Sequence, residues 1–180
     1  AAVYRGGFFF KSKRKGKRKE KRMLQLKKLT VDYREAPLGV ENPTPRFGWQ
    51  AECDAPDARQ TAYRICVTGD GWDAPLCWDS GVVEDARSEN IRYAGVPLAG
   101  ATVYRFRIWV QYADGQTAEA ESKFETALYD ENFTAKWIAQ AKPRAGWAPY
   151  LRKEFTVTKP VVRARLYLCG LGYGEAWLNG

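Results

Sequence analysis

From residue 24 onward the chain is written in short runs whose hydrophobic positions recur at every second residue. Phe47, Trp49 and Ala51 alternate with Arg46, Gly48 and Gln50, and Tyr63, Ile65 and Val67 alternate with Arg64, Cys66 and Thr68. The longest run sets Tyr104, Phe106, Ile108, Val110 and Tyr112 against Arg105, Arg107, Trp109 and Gln111. Successive side chains of extended backbone point to opposite faces, so this period belongs to strands with one buried and one wet face. Asp114-Gly115 then supplies residues that tolerate the positive φ of a tight hairpin. The return strand places Ala118, Ala120, Ser122 and Phe124 opposite Glu119, Glu121, Lys123 and Glu125. No stretch keeps a helical period for long. The pattern predicts an antiparallel sandwich over 23–127.

Residues 128–149 are punctuated by Asn132, Pro143, Gly146 and Pro149 and read as a connector with a short strand at Trp137-Ile138. Alternation resumes in Leu151, Lys153, Phe155 and Val157, and again in Val162, Ala164, Leu166 and Leu168. A last strand, Glu175-Ala176-Trp177-Leu178, runs into the hairpin signal Asn179-Gly180, with no partner strand after it. Residues 150–180 therefore read as the incomplete start of a second sandwich, too small to bury much surface alone. The expected fold class is all-β, one antiparallel sandwich followed by a truncated second one.

Charge changes the picture only at the start. The sequence holds 29 Lys+Arg and 21 Asp+Glu, but residues 1–22 contain ten of the basic side chains and one acid, Glu20. The remainder holds 19 basic and 20 acidic side chains, so nucleic-acid attraction is confined to the leader. That leader is expected to be disordered and non-native. Lys13–Arg22 uses only amino acids of purine-only codons, as a ribosome-binding site read through in frame would, and Met23 follows directly. Its charge precedes nothing like a signal-peptide core, since the only apolar run is Phe8-Phe9-Phe10. No apolar run reaches the ~20 residues of a membrane span. Neither a nucleic acid nor a membrane is an expected partner.

The chemical vocabulary is narrow. With no histidine there is no His-based triad and no imidazole metal site. Cys53, Cys66, Cys77 and Cys169 form no C-x-x-C pair and read as reduced thiols of a cytoplasmic protein. Glu119, Glu121 and Glu125 read as a solvated strand face rather than catalytic acids. Gly170, Gly172 and Gly174 precede a strand, not the helix that a phosphate loop opens. Asn132-Phe133-Thr134 matches a glycosylation sequon, which has no use in a bacterial cytosol, and Asp70-Gly71-Trp72-Asp73 lacks the oxygen ligands of a calcium loop. Trp109, facing outward from its strand, and Trp72, Trp78 and Trp147, in loop-like contexts, are candidate surface aromatics, for sugar contact or domain packing. No catalytic, cofactor-binding or metal-ligating residue is assigned.

Pro97-Leu98-Ala99-Gly100-Ala101-Thr102-Val103-Tyr104 resembles the tyrosine-corner segment of fibronectin type III domains, and Trp49 stands where those domains place a core tryptophan. Five further segments occur in order: Val31-Asp32-Tyr33-Arg34-Glu35-Ala36-Pro37-Leu38-Gly39-Val40, Pro45-Arg46-Phe47-Gly48-Trp49, Trp78-Asp79-Ser80-Gly81, Lys123-Phe124-Glu125-Thr126-Ala127-Leu128 and Ala135-Lys136-Trp137-Ile138. Together they resemble the N-terminal region of bacterial α-L-rhamnosidases of the inverting glycoside hydrolase class. Tyr150–Phe155 and Leu171–Gly180 resemble the start of the jelly-roll-like β-sandwich that follows it. The resemblance implies a non-catalytic N-terminal region of an enzyme that releases terminal α-L-rhamnose from glycosides or polysaccharides. The catalytic acids would lie in a downstream α/α barrel of the same chain. It implies no cofactor here, with calcium an option only in the missing part of the second sandwich. A structural or adhesive sandwich module without enzyme activity is the alternative.

Overall fold

The structure, a computed structural model, describes residues 23–129, 134–142 and 145–180. The basic leader and most of the sequon pattern, Asn132 and Phe133, lie outside the described residues. Eight strands follow in chain order: β1 Leu24–Val31, β2 Arg34–Glu35, β3 Arg46–Cys53, β4 Gln60–Thr68, β5 Leu76–Asp79, β6 Ile91–Arg92, β7 Val103–Tyr112 and β8 Thr117–Glu125. They form two antiparallel four-stranded sheets, ordered β2-β1-β3-β6 and β5-β4-β7-β8. No helix occurs among the described residues. The chain divides between residues 134 and 135 into two units.

In the first unit the period-two pattern does what it predicts. Tyr104, Phe106, Ile108 and Val110 of β7 are buried, while the residues between them keep some solvent contact. The two inner faces meet through aromatic rings. Phe47 of β3 lies 5.0 Å from Phe106, 6.1 Å from Phe124 and 5.9 Å from Trp78, all three on the opposite sheet. Trp49 is 2% exposed, and its indole N–H donates to Gln60 Oε1 at 3.0 Å. The Gln60 amide in turn donates to the carbonyls of Asp85 and Arg87 at 3.2 and 2.8 Å. A buried indole N–H needs such a partner. The tyrosine corner forms as the sequence suggests: Leu98 and Tyr104 are buried, and the Ala99 N–H donates to Tyr104 Oη at 2.8 Å.

Local irregularities are equally physical. β1 carries a bulge between Lys27 and Thr30, with Lys28 at φ 45°. The extra residue turns Lys28 outward while Leu26, Leu29 and Val31 stay buried. At the other end of the sandwich, the β7–β8 hairpin closes where Asp114-Gly115 places it. Only Gly115 takes positive φ (83°), and its N–H donates to Tyr112 O at 2.9 Å.

One predicted face needs correction. Glu125 is buried, 4% exposed, not on the solvated face of β8. The segment around Pro37–Val40 lies over the end of that strand: Glu125 N donates to Pro37 O at 3.0 Å, and Val40 N donates to Glu125 O at 2.9 Å.

The second unit, 135–180, contains none of the expected strands. The runs at 151–157, 162–168 and 175–178, and Trp137-Ile138, are extended or irregular chain, with Phe155, Leu166 and Trp177 exposed. Alternation selects a face, but a strand exists only when a neighbour accepts its backbone hydrogen bonds. Within 135–180 no described segment supplies that neighbour.

Two substitutions separate the packing from the corner. Phe47→Ala should lower unfolding free energy by about 3–5 kcal/mol, because it removes a buried ring from the seam. Tyr104→Phe should cost only about 1 kcal/mol, the net worth of one hydrogen bond whose freed Ala99 N–H sits near solvent. Urea midpoints of the two variants check the ratio.

Candidate functional site

Two surfaces of the sandwich carry enough chemistry to be sites, and they differ in one respect. The outer face of β5-β4-β7-β8 is a charged ladder in which Arg64, Arg105 and Arg107 each reach an acid. Arg64 of β4 grips Asp79 of β5 at two points, Nε to Oδ1 at 2.9 Å and Nη2 to Oδ2 at 2.5 Å. Arg107 of β7 reaches Glu119 and Glu121 of β8 at 3.5 and 3.3 Å, and Arg105 reaches Asp70 at 3.7 Å. The Trp72 ring lies 4.2 Å from the Arg107 guanidinium carbon, a cation–π contact. Trp109 sits in register between Arg64 and Glu119. Exposed pairs of this kind contribute up to ~1 kcal/mol each and fix cross-strand register more than they create chemistry.

The outer face of β2-β1-β3-β6 differs. β3 has glycine where an outward side chain would stand, and a Cβ on Gly48 would meet Thr30 Oγ1 at 2.9 Å. Ser88 O and Glu89 Cα lie 3.5 and 3.7 Å from the same point, so the glycine lets these segments pack on β3, and beside it runs a groove of about 320 Å³ with Lys28 and Glu35 on one side and Glu89 and Asn90 on the other. Tyr33 overlooks it from the β1–β2 turn, where Asp32 and Tyr33 both take positive φ, 45° and 65°. Tyrosine is uncommon in that conformation, and the turn is held by its neighbour. Asp32 N donates to Arg46 O at 2.8 Å, while Arg46 N donates to Asp32 Oδ1 at 2.9 Å. The Tyr33 ring remains 69% exposed.

The four candidate surface aromatics separate accordingly. Trp72 and Trp109 share the ladder face, as an outward position for Trp109 requires. Trp78 is not in a loop: it lies on β5 and packs on Phe47 and, at 5.3 Å, on Tyr93. Trp147 is exposed in the second unit. Glu119 and Glu121 do lie outward, paired to Arg107. The Gly48 groove escapes a reading of the sequence, because its residues come from separated segments of the chain. The signals present are Gly48 interrupting a strand and the Asp32-Tyr33 pair, which reads as ordinary coil until its φ values are known.

Cys53, Cys66, Cys77 and Cys169 are all free thiols. Burial pushes the Cys66 and Cys77 thiols above their usual range, which disfavours the reactive thiolate. Among the described residues no group of three or more Cys, Asp or Glu is placed to hold a metal ion. Nor is any described helix long and apolar enough to cross a membrane.

This two-sheet architecture with its tyrosine corner is that of an immunoglobulin-like or fibronectin-like module. Residues 26–130 match the sequence model of the Rha78A-like, N-terminal immunoglobulin domain, and the chain belongs to that family. It is 37% identical over 125 residues to an α-L-rhamnosidase of Streptomyces avermitilis, a match spanning 67% of this chain and 12% of that protein. A Formosa agariphila α-L-rhamnosidase is 27% identical over 188 residues, covering 87% of this chain and 20% of its own length. The solved structure of the S. avermitilis α-L-rhamnosidase complexed with L-rhamnose superposes with a TM-score of 0.60 at 36% identity. That superposition covers 65% of this chain and 12% of the other. The chain thus spans a fifth or less of the curated relatives it matches.

The ladder makes a pH prediction. Arg64 holds the Asp79 carboxyl down at about 2, against an ordinary 3.8. A depressed folded pKa stabilises above the unfolded value and is lost as pH falls through the folded one. Asp79→Asn, which keeps an oxygen for Gly81 N, should therefore cost at most ~1 kcal/mol at neutral pH. The gap to the parent should close between about pH 4 and about pH 2. Urea midpoints across that window check it, and a gap independent of pH would show that charge contributes nothing.

Proposed function

We propose that this chain is the non-catalytic N-terminal region of an inverting α-L-rhamnosidase, an enzyme that hydrolyses terminal α-L-rhamnose from plant glycosides or polysaccharides. The observation that carries the reading is that the relatives named above are α-L-rhamnosidases and that the match occupies only a small share of each. In this reading residues 23–127 are a rigid spacer, 128–149 a connector and 150–180 the opening strands of a carbohydrate-recognition sandwich. The 188-residue alignment, spanning most of this chain, supports extending the likeness past the first sandwich.

Inversion needs one carboxylic acid to protonate the leaving oxygen and one carboxylate to activate water, held ~6.5–9.5 Å apart. The ladder does not supply them. Arg64 holds the Asp79 carboxyl low, the opposite of what a general acid needs, and Glu119 and Glu121 are both ion-paired to the same Arg107 rather than facing each other across an open cleft. The reading therefore assigns both acids to a barrel elsewhere in the parent enzyme. It also places the enzyme in the cytoplasm, which four free cysteines support.

The test is catalytic. The complete parent enzyme should release rhamnose from an aryl α-L-rhamnoside with inverted anomeric configuration, and the 180-residue chain should release none. Hydrolysis by this chain alone, or a parent inactive on rhamnosides, would contradict the reading.

A further inference from the structure

The two outer faces contrast in how far their polar groups are committed. On the β5-β4-β7-β8 face Arg64, Arg105 and Arg107 each reach an acid, although the Nε atoms of Arg105 and Arg107 lack a hydrogen-bond partner. Around Gly48, no hydrogen bond or ion pair with a described residue engages the side chains of Lys28, Tyr33, Glu35, Arg46, Glu89 or Asn90. The groove therefore presents donors and acceptors together, unspent. Lys28 and Arg46 are balanced by Glu35 and Glu89, so an anion or a cation entering it meets like charge as well as opposite. An uncharged molecule rich in hydroxyls meets none of that repulsion, since each hydroxyl both donates and accepts.

Shape and rigidity point the same way. At about 320 Å³ the groove lies at the low end of the ~300–1,000 Å³ of small-molecule sites, which suits one ring rather than a long chain. At its floor the missing Cβ of Gly48 lets Thr30 Oγ1 and the Ser88–Glu89 backbone pack directly on β3, which fixes the rim that carries Glu89 and Asn90. The exposed Tyr33 ring can cover the C–H face of a sugar, and the Asp32–Arg46 clamp holds the turn that carries it.

We propose that the Gly48 groove is a binding subsite for a single uncharged pyranose unit, with Tyr33 as stacking platform and Asn90, Arg46 and Glu89 as hydroxyl partners. It would let the sandwich hold part of a glycan, beyond serving as a spacer. The choice of a rhamnoside as first probe rests on the hydrolase reading above; binding in the groove does not.

The experiment is a titration of the isotope-labelled 180-residue chain, read by amide chemical shifts, with methyl α-L-rhamnopyranoside, D-galactose, D-galacturonate and D-glucosamine. At least one neutral sugar should shift the amides of Thr30, Gly48 and Asn90 saturably, with millimolar affinity, and the two charged sugars should bind more weakly. Tyr33→Ala and Glu89→Gln should each reduce that affinity about tenfold while the remaining spectrum is unchanged. Both side chains are exposed, so both variants should fold. Absence of neutral-sugar shifts at these amides, tighter binding of a charged sugar, or unchanged affinity in both variants would overturn the subsite. Groove binding beside a parent inactive on rhamnosides would sink only the hydrolase reading. A silent groove beside an active parent would sink only the subsite.

Discussion

The sandwich depends on the aromatic seam in which Phe47 reaches from one sheet into Phe106, Phe124 and Trp78 of the other. Each sheet alone is a four-stranded layer with one apolar face, which is unstable in water until that face is covered. The seam covers it. Trp49 against Tyr63 at 5.5 Å extends the contact, and the stack of Tyr104 on Phe124, also 5.5 Å apart, carries it to the tyrosine corner. Once the inner faces are sealed, the outer faces can hold arrangements that contribute little stability of their own. The arginine ladder and the groove at Gly48 are both of this kind.

The second unit shows the same rule from the other side. Its alternation is as clear as that of β3, yet its apolar residues find no opposing layer within 135–180 and stay exposed. Periodicity encodes which residues would face a core, not whether a core is present. The unit therefore leaves a large apolar surface exposed.

How much of the fold is legible in the sequence follows from the length of each pattern. β7 has ten residues and four buried alternate positions, so its inward face is plain. Tyr104 and Trp49 are recognisable because each sits in a segment with its own spacing. β5 has only four residues, too few to show a period, so Trp78 reads as a loop residue though it packs on the seam. Glu125 reads as solvated because strand pattern says nothing about a segment such as Pro37–Val40 folding over the strand's end. The groove is hidden for a related reason: it is lined by a left-handed Tyr33 and by residues far apart in the chain, from Lys28 to Asn90. Only the pairing of β1 with β3 and β3 with β6 brings them together.

Amide hydrogen exchange on the whole chain tests the central claim, that the first sandwich is self-sufficient and sealed by the Phe47 seam. The account predicts that amides of β4 and β7 exchange only through global unfolding, while those of 135–180 exchange at nearly unprotected rates. Equal protection in both units, or β7 amides exchanging as fast as those near Tyr150, would contradict it.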